Sequence, residues 1–301
     1  MIILRKEVIT MPSTNTPLRY PGGKSQLTDF VYHTIQLNNI NDTIYCEPFS
    51  GGAGVAMSLL LNNRVSSIIL NDLDTAIYSI WYAILNDTER LLAAIEKVDV
   101  TMETWHQQRQ IYDDLRDSEE YSFKLAFAAF FLNRTNRSGI ITGGPIGGMN
   151  QTGKYLVDCR FNKRTLSSKI HKIAACRDRI QLYHCDAVDL IKNVLRRQPT
   201  DRLFTFFDPP YYQQGKHLYK NAFDDDKHQE LAMVIQTTMR DHHWIVTYDD
   251  TPEIETLYGG ANEAMRYTLQ YMATQKRREQ ELFFHSRITQ VESFDRVLFD
   301  Q

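Results

Sequence analysis

The tetrapeptide Asp208–Tyr211 (DPPY) stands at the end of an apolar run, in the stretch FFDPPYY. Consecutive prolines donate no backbone hydrogen bonds and hold the chain extended. The pattern therefore predicts a rigid loop at a strand end that presents a carboxylate, an unbonded carbonyl and an aromatic ring. A turn that merely ends the strand is the alternative. The full tetrapeptide after a buried strand is much rarer than a double proline in a turn, which favours a chemical role.

A second candidate is Lys24, in the stretch RYPGGKSQ at residues 19–26. Gly-Lys-Ser also ends the phosphate-binding Walker A loop, whose first glycine would fall at position 18. Position 18 is leucine, and the polar, proline-containing residues before the lysine do not form a buried strand. The pattern therefore argues against a nucleoside triphosphatase. By itself, the motif is also typical of a plain turn that caps the amphipathic helix predicted after it.

A third motif, EPFSGGAGV, follows a predicted strand and begins a helix. Gly52 and Gly54 permit a tight turn and a close approach of a ligand, and the helix N-terminus offers N–H groups to an anion. A dinucleotide fingerprint would need a third glycine at position 57, which is Met57. Asp72 follows the next strand, where an acid accepts hydrogen bonds from ribose hydroxyls. A helix cap is the alternative for this acid, but Asp74 suits that role better.

Alternating strands and helices must position these motifs. Apolar runs at 43–49, 66–72, 180–186, 202–211 and 243–250 predict buried strands, with helices predicted at 53–62, 74–86, 187–197 and 227–240. This alternation is typical of a parallel sheet with helices on both faces, in which ligands bind at the carboxyl ends of the strands. The acids of this chain collect at those ends. Two further strands, at 264–272 and 280–286, flank a basic turn and predict a closing hairpin.

The alternation is interrupted between residues 76 and 170, which predicts an inserted subdomain that is helical and then glycine-rich. Residues 124–172 contain nine Lys or Arg and one acid, whereas the whole chain has a net charge of −3. A basic segment on an otherwise acidic protein is the footprint expected for a polyanionic partner. A solvated charged face is the alternative, which the near absence of acids disfavours.

Composition limits the class of protein further. The 301 residues are 43% hydrophobic, enough for a substantial core, and no run approaches the length of a membrane span. The four cysteines form no Cys-x-x-Cys pair, which leaves zinc and redox motifs unsupported. We therefore expect a reduced, cytoplasmic protein with a loose extension at residues 1–16.

The three motifs in this order, together with FFLNRTNRSGI and the basic turn TQKRRE, resemble the Dam-type, or D12 class, adenine-N6 DNA methyltransferases across most of the chain. The resemblance implies a Rossmann-like α/β fold that binds S-adenosylmethionine, with an inserted, mainly helical target-recognition subdomain. The catalytic domain would comprise residues 17–75 and 171–301, and the DNA-binding insertion residues 76–170. The glycine-rich segment 139–153 departs from the Dam pattern, so the recognition sequence stays open.

The resemblance also implies roles for single residues. The cofactor-binding set comprises Tyr20, Lys24, Glu47, Phe49, Gly52, Gly54, Asp72, Asp186 and Asp208. The catalytic set comprises Asp208, Pro209, Pro210 and Tyr211. The candidates for contact with DNA are Asn133, Arg134, Arg137, Lys154, Arg160, Lys163 and Arg164. Whether Lys24 meets the carboxylate of the cofactor or the DNA stays open at this point.

The chemistry requires no metal, because the methyl group of a sulfonium is already activated. Asp208 and the carbonyl of Pro209 would accept hydrogen bonds from the adenine amino group and localise its lone pair. The adenine must leave the duplex to reach them, and Tyr211 would stack on the flipped base. The expected partner is double-stranded DNA, bound by a protein that is monomeric in solution and associated with the nucleoid when on DNA. A dimer on DNA and a cognate restriction endonuclease are open possibilities.

Three alternatives remain at this point. A cytosine-N4 or an RNA amino-methyltransferase would use similar chemistry, but the N-terminal RYPGGK motif and the inserted subdomain argue against both. A DNA-binding regulator with a silent active site is the third, and the intact Asp208 and Lys24 disfavour it.

Overall fold

Seven apolar segments form a single sheet in the computed structural model, which describes residues 14–20, 24–213, 223–259, 264–272 and 276–300. The order across the sheet is β3-β2-β1-β4-β5-β7-β6. The first five strands are parallel, and β7 lies antiparallel between β5 and β6. The strands are β1 Ile44–Glu47, β2 Ser67–Asn71, β3 Ile180–Tyr183, β4 Leu203–Phe207, β5 His243–Asp249, β6 Met265–Met272 and β7 Lys276–His285. The predicted parallel sheet with a closing hairpin is therefore confirmed. Residues 276–279, predicted as part of the basic turn, instead belong to β7, because their backbones pair with the end of β6.

Helices cover both faces of this sheet. Along the strands the side chains alternate between two apolar layers, so that Tyr45 and Ile68 face one layer while Cys46 and Ile69 face the other. Helices α1 to α7 pack in the first layer and α8 to α10 in the second. The helices are α1 Thr28–Leu37, α2 Gly54–Leu61, α3 Thr75–Asn86, α4 Thr88–Lys97, α5 Met102–Leu115, α6 Phe123–Thr135, α7 Lys163–Ala174, α8 Ala187–Asn193, α9 Asp225–Thr238 and α10 Pro252–Tyr258.

The connection between β2 and β3 contains the region predicted as an insertion, and it is mainly helical as expected. Its buried side chains, such as Trp81, Phe130 and Ile170, are continuous with the core of the adjacent sheet face. This region is thus packed against the sheet through shared apolar surface. The boundaries at residues 76 and 170 stay a prediction.

The strand order creates a switch point between β1 and β4. From β1 the chain continues outward through β2 to β3, whereas β4 and β5 extend to the opposite side. Ligands of open parallel sheets bind where the order reverses, outside the carboxyl ends of the strands. Glu47 ends β1 and Asp208 follows β4, so two of the predicted site residues lie on either side of this point.

Some sequence predictions fall outside the described residues. These are residues 1–13 of the predicted extension, residues 21–23 of the lysine motif and the centre of the basic hairpin turn. Among the helices that the structure describes, none combines the length and the apolar character needed to cross a membrane.

Candidate active site

Asp208 directly follows β4, next to the switch point of the sheet. Its side chain is 29% exposed, and its Oδ1 accepts a hydrogen bond of 2.8 Å from the hydroxyl of Thr247 on β5. Burial raises the pKa of Asp208 to about 6, with a further contribution from the negative charge of Glu281. Lys24 and the Thr247 hydrogen bond oppose this rise in the pKa. The carboxylate is thus held at a fixed place with acceptor capacity left over.

The loop after Asp208 is anchored by the neighbouring strand. Both oxygens of Asp249, the last residue of β5, accept 2.8 Å hydrogen bonds from the backbone N–H groups of Tyr212 and Gln213. Pro209 and Pro210 have no N–H groups, so this anchoring falls to the residues that follow them. The rigid loop predicted from the two prolines is therefore also tied to the sheet through one buried carboxylate.

Lys24 pairs mainly with a carboxylate of the protein itself. Its Nζ lies 2.7 and 2.9 Å from the two oxygens of Glu281 on β7, and 3.7 Å from Oδ1 of Asp208. Both partners are buried, with side-chain exposures of 6% and 1%. The sequence left two external anions open for this lysine, and the structure adds Glu281 as its closest partner.

Tyr211 belongs to the same cluster. Its hydroxyl donates a 2.7 Å hydrogen bond to Oε1 of Glu281 and accepts a short hydrogen bond from Lys24. The ring lies 6.4 Å from that of Tyr248, at an interplanar angle of 34°. The hydrogen bonds to Glu281 and Lys24 therefore hold the hydroxyl end of the Tyr211 ring in place. Stacking of this ring on a base stays a prediction.

The glycine-rich turn after β1 has a structural reason for its small residues. A Cβ added to Gly52 would lie 2.9 Å from Cβ of Tyr20, and one added to Gly54 would lie 2.4 Å from Oγ of Ser25. The glycines therefore admit the N-terminal motif, which packs directly on the turn. Trp81 Nε1 donates a 2.9 Å hydrogen bond to the carbonyl of Gly51 and fixes the turn from the helical side.

Glu47 bonds the N-terminal turn of α2. Its Oε1 accepts hydrogen bonds from the N–H of Ala56 at 2.9 Å and from the hydroxyl of Tyr45 at 3.0 Å. Burial raises the pKa of Glu47 to about 8, although both hydrogen bonds act in the opposite direction. At least one N–H group of this helix terminus is thus bonded within the protein, rather than offered to a ligand as the sequence suggested.

Asp72 and Asp74 divide two roles after β2. Asp72 accepts from the N–H of Gly51 at 2.8 Å and from that of Asp74 at 3.0 Å, and burial raises its pKa to about 7. Asp74 caps α3 by accepting from the N–H groups of Ala76 and Ile77. The cap predicted for Asp74 is confirmed. Asp72 instead bonds the glycine turn, and its contact with a cofactor stays a prediction.

Three further residues lie at this edge of the sheet, namely two predicted cofactor contacts and one residue that was not predicted. Asp186 caps α8 through the N–H of Val188, and Phe49 lies edge to face with Phe223 at 6.0 Å. Asn71, which the sequence did not single out, donates to the carbonyls of residues 48 and 185, each at 2.9 Å, and is only 1% exposed. It holds the loops after β1 and β3 together. The cofactor roles of Asp186 and Phe49 stay predictions.

The predicted DNA contacts separate into inward and outward side chains. Asn133 is fully buried and bonds the backbone N–H and carbonyl of Arg19, so its position is that of a structural residue. Arg134 bonds the carbonyls of Pro17 and Arg160, and Lys163 bonds that of Glu96. Four candidates remain exposed, namely Arg137, Lys154, Arg160 and Arg164. All of these contacts with DNA stay predictions, and the buried position of Asn133 does not favour its own.

A cluster of guanidinium groups lies at the base of this segment. Burial, together with the nearby charges of Arg19 and Arg160, lowers the pKa of Arg134 to about 10. Burial and the charge of Arg160 also lower the pKa of Arg19. Concentrated positive charge of this kind is favourable once an anion such as a phosphate is bound.

Asn136 organises the glycine-rich segment and was not found from the sequence. Its Nδ2 lies within 3.1 Å of the carbonyls of Ile140, Ile141 and Gly143, and its Oδ1 accepts a 2.7 Å hydrogen bond from Trp105. The side chain is fully buried. A polar residue between an apolar helix and a glycine-rich loop was the available signal.

We expect Asn136→Ala to destabilise the protein by about 3–5 kcal/mol, because three partly buried carbonyls and a buried indole N–H would lose their partner. Chemical denaturation measures this loss. Asn150→Ala, at an exposed position of the same segment, should change the stability by less than about 0.5 kcal/mol. Equal effects of the two substitutions would show that the Asn136 hydrogen bonds do not hold the segment.

Glu281 and Tyr267 are the other site residues that the sequence did not identify. Tyr267 on β6 donates a 2.5 Å hydrogen bond to Oε2 of Glu281. The signal for Glu281 was a single acid at the start of the apolar run QELFFH. Such an acid in a central strand is costly unless it is paired, which was a reason to search for its partner.

Comparison with known proteins identifies the family of this chain. Residues 20–280 match the family model described as D12 class N6 adenine-specific DNA methyltransferase. The type II methyltransferase M.MjaIII of Methanocaldococcus jannaschii is 22% identical over 231 residues, which cover 71% of this chain and 77% of that protein. A candidate RNA methyltransferase from Pyrococcus horikoshii aligns over 93% of this chain and 90% of its own, with 8% identity and a TM-score of 0.38. This last superposition is too loose to support an argument.

Proposed function

The chain belongs to the D12 class of N6 adenine-specific DNA methyltransferases, and from this premise we propose which of its residues carry the reaction. Asp208 and the carbonyl of Pro209 accept hydrogen bonds from the amino group of an adenine that has been flipped out of the duplex. Tyr211 stacks on this base. The observation that carries the proposal is the partly exposed Asp208 carboxylate at the switch point of the sheet, with a single short donor from Thr247.

The acceptor nitrogen is the difficult partner, because its lone pair is delocalised into the adenine ring. Hydrogen bonds from both amino hydrogens to fixed acceptors favour a pyramidal nitrogen and localise that pair. Asp208 also provides negative charge next to the nitrogen as positive charge develops on it. The anchoring of the loop by Asp249 holds these acceptors in place before the base arrives, so little reorganisation is needed.

The residues at the ends of β1 and β2 fit S-adenosylmethionine as the methyl donor. This molecule supplies a methyl group that is already activated by its sulfonium. Its ribose hydroxyls are hydrogen-bond donors, and the partly exposed carboxyl group of Asp72 accepts from the backbone N–H groups of Gly51 and Asp74, beside the glycine turn. We propose that Asp72 binds the ribose hydroxyls, while Tyr20, packed on the glycine turn, borders the same pocket.

The proposed roles are tested by methyl transfer from labelled S-adenosylmethionine to DNA of varied sequence, followed by digestion to nucleosides. We expect the label in N6-methyladenine. Label in N4-methylcytosine, or in RNA supplied in place of DNA, would favour the alternative acceptors. Failure to label any DNA would contradict the proposed reaction.

The pH dependence of kcat/KM should reflect the ionisation of Asp208 in the free enzyme. Its raised pKa, about 6, keeps the carboxyl protonated up to that pH. Only the ionised carboxylate can both accept a hydrogen bond from the amino group and stabilise the positive charge that develops on it. Activity should therefore fall below pH about 6, rather than below the value of about 4 typical of aspartate. Methyl transfer measured between pH 4.5 and 8.5 tests this.

Thr247→Val provides a directed check on the assignment. It removes a hydrogen bond that stabilises the carboxylate and so raises the pKa of Asp208. The acid limb, which is the part of the pH profile where activity falls on the acidic side, should therefore move to higher pH. Thr237→Val, at an exposed position on α9, should leave the limb in place. If Thr247→Val leaves the acid limb unmoved, the ionisation that causes this limb belongs to a group other than Asp208.

A further inference from the structure

Glu281 occupies an unusual place for a carboxylate. It lies in the middle of the hairpin sheet, opposite Asp249 of β5 and Tyr267 of β6, and its side chain is 1% exposed. The residues that follow it, Leu282, Phe283 and Phe284, are buried and apolar. Burial of a carboxylate in such a strand is unfavourable unless it is paired and hydrogen-bonded.

The pairing of Glu281 joins three separate parts of the chain. Oε1 accepts from the Tyr211 hydroxyl at 2.7 Å and from Lys24 at 2.9 Å. Oε2 accepts from Lys24 at 2.7 Å and from the Tyr267 hydroxyl at 2.5 Å. One carboxylate therefore connects the N-terminal lysine motif, the loop after β4 and the closing hairpin.

Glu281 and Asp208 compete for the same ammonium group. Nζ of Lys24 is 2.7 Å from Glu281 but 3.7 Å from Oδ1 of Asp208, which exceeds the range of a direct N–H···O hydrogen bond. The shorter, charge-assisted contact goes to Glu281. The ammonium of Lys24 therefore stays near Asp208 without forming a direct hydrogen bond to its carboxylate.

We infer that Glu281 is a positioning residue for methyl transfer, because it holds the Lys24 ammonium and the Tyr211 hydroxyl so that Asp208 keeps an oxygen for the amino group of the base. This inference rests on the proposed role of Asp208. Without the charge of Glu281, the buried Lys24 ammonium moves onto the nearest remaining anion, which is Asp208. The acceptor is then blocked by a direct ion pair.

The test is Glu281→Gln, which preserves the shape of the side chain and removes its charge. We expect kcat to fall about 100-fold, because the Asp208 carboxylate is no longer available to the amino group of the base. The KM for DNA should change little, because the surface that binds DNA is not altered. The acid limb of the pH profile should move to lower pH, since Asp208 gains a direct cation and loses a nearby negative charge. The opposite shift is expected for Thr247→Val.

The double variant Lys24→Met/Glu281→Gln separates positioning from a merely structural role. With the ammonium also removed, Asp208 is no longer blocked, so the acid limb should return to higher pH and the two losses in kcat should not add. Unchanged kcat in Glu281→Gln would overturn the inference. A reduced kcat with an unmoved acid limb would also overturn it, because it would indicate a structural effect alone.

Two further variants protect the experiment against misfolding. Tyr267→Phe retains the ion pair and removes one donor to Glu281, and it should shift the profile in the same sense as Thr247→Val, because Glu281 then holds a less stabilised charge beside Asp208. Glu292→Gln, an exposed carboxylate paired with His33, should leave both kcat and the profile unchanged.

Thermal unfolding provides a readout that is independent of methyl transfer. Lys24→Met leaves the buried Glu281 charge without its cation, and Glu281→Gln displaces the Lys24 ammonium from its shortest ion pair, so each should have a lower Tm than the double variant. An absence of coupling in Tm would contradict the ion pair itself. Coupling in Tm together with an inactive wild-type enzyme would instead contradict the proposed function and leave the pair intact.

Discussion

Asp208→Asn is expected to lower the rate of methyl transfer at least about 1,000-fold, as found when a preorganised electrostatic partner of a developing charge is removed. The amide has no net charge, and its NH₂ group can face the amino group of the base as a second donor. Single-turnover transfer of a labelled methyl group, measured with saturating DNA, gives this rate without a contribution from product release.

The loss at Asp208 should not reflect unfolding. The pKa of this carboxyl is raised to about 6, which means that the folded protein disfavours its charge, so an uncharged residue of the same shape is tolerated. DNA affinity should stay within about two-fold of wild type, since the carboxylate contributes to the reaction rather than to phosphate binding. The matched control is Asp250→Asn, an acid that directly follows the neighbouring strand β5 and pairs with Arg266. Methyl transfer by Asp208→Asn within ten-fold of wild type would contradict the assignment.

Replacement of Arg137, Lys154 and Arg160 by glutamine is expected to weaken DNA binding about 100-fold at low salt, for specific and unrelated sequences alike. All three side chains are exposed on the basic segment. Since each phosphate contact contributes roughly 0.9 to the slope of log K against log salt, the slope should become shallower by up to about 3. Fluorescence anisotropy at several salt concentrations measures both quantities.

The control for this surface removes the same charge elsewhere. Arg177, Arg196 and Arg197 are exposed outside the basic segment, and their replacement by glutamine should leave the slope close to that of wild type. Equal slopes for the two triple variants would show that the basic segment does not touch phosphate. A change confined to one DNA sequence would indicate that one of the three side chains reads a base edge.

Local sequence patterns determined a large part of this protein. The strands were predictable because each contains a short apolar run, although the charged first residues of β7 were predicted as turn. The cap at Asp74 was predictable because its side chain bonds N–H groups two and three residues away. Asp208 was found because two prolines after a buried strand create an unusual loop by their own covalent geometry. These features depend on neighbours in the chain, so their physical causes are visible in the sequence.

Tertiary structure decided how the motifs are connected. Lys24 and Glu281 are 257 positions apart, and only the placement of β7 between β5 and β6 brings them together. In the same way, Gly52 and Gly54 have no room for a Cβ because Tyr20 and Ser25 pack against them. The spacing of these residues in the sequence does not predict this contact. The sequence by itself thus determined the strands, the reactive loop and the chemical class of the protein. The fold determined which buried charges meet, because the energy of an ion pair depends on distance and burial, which chain spacing does not encode.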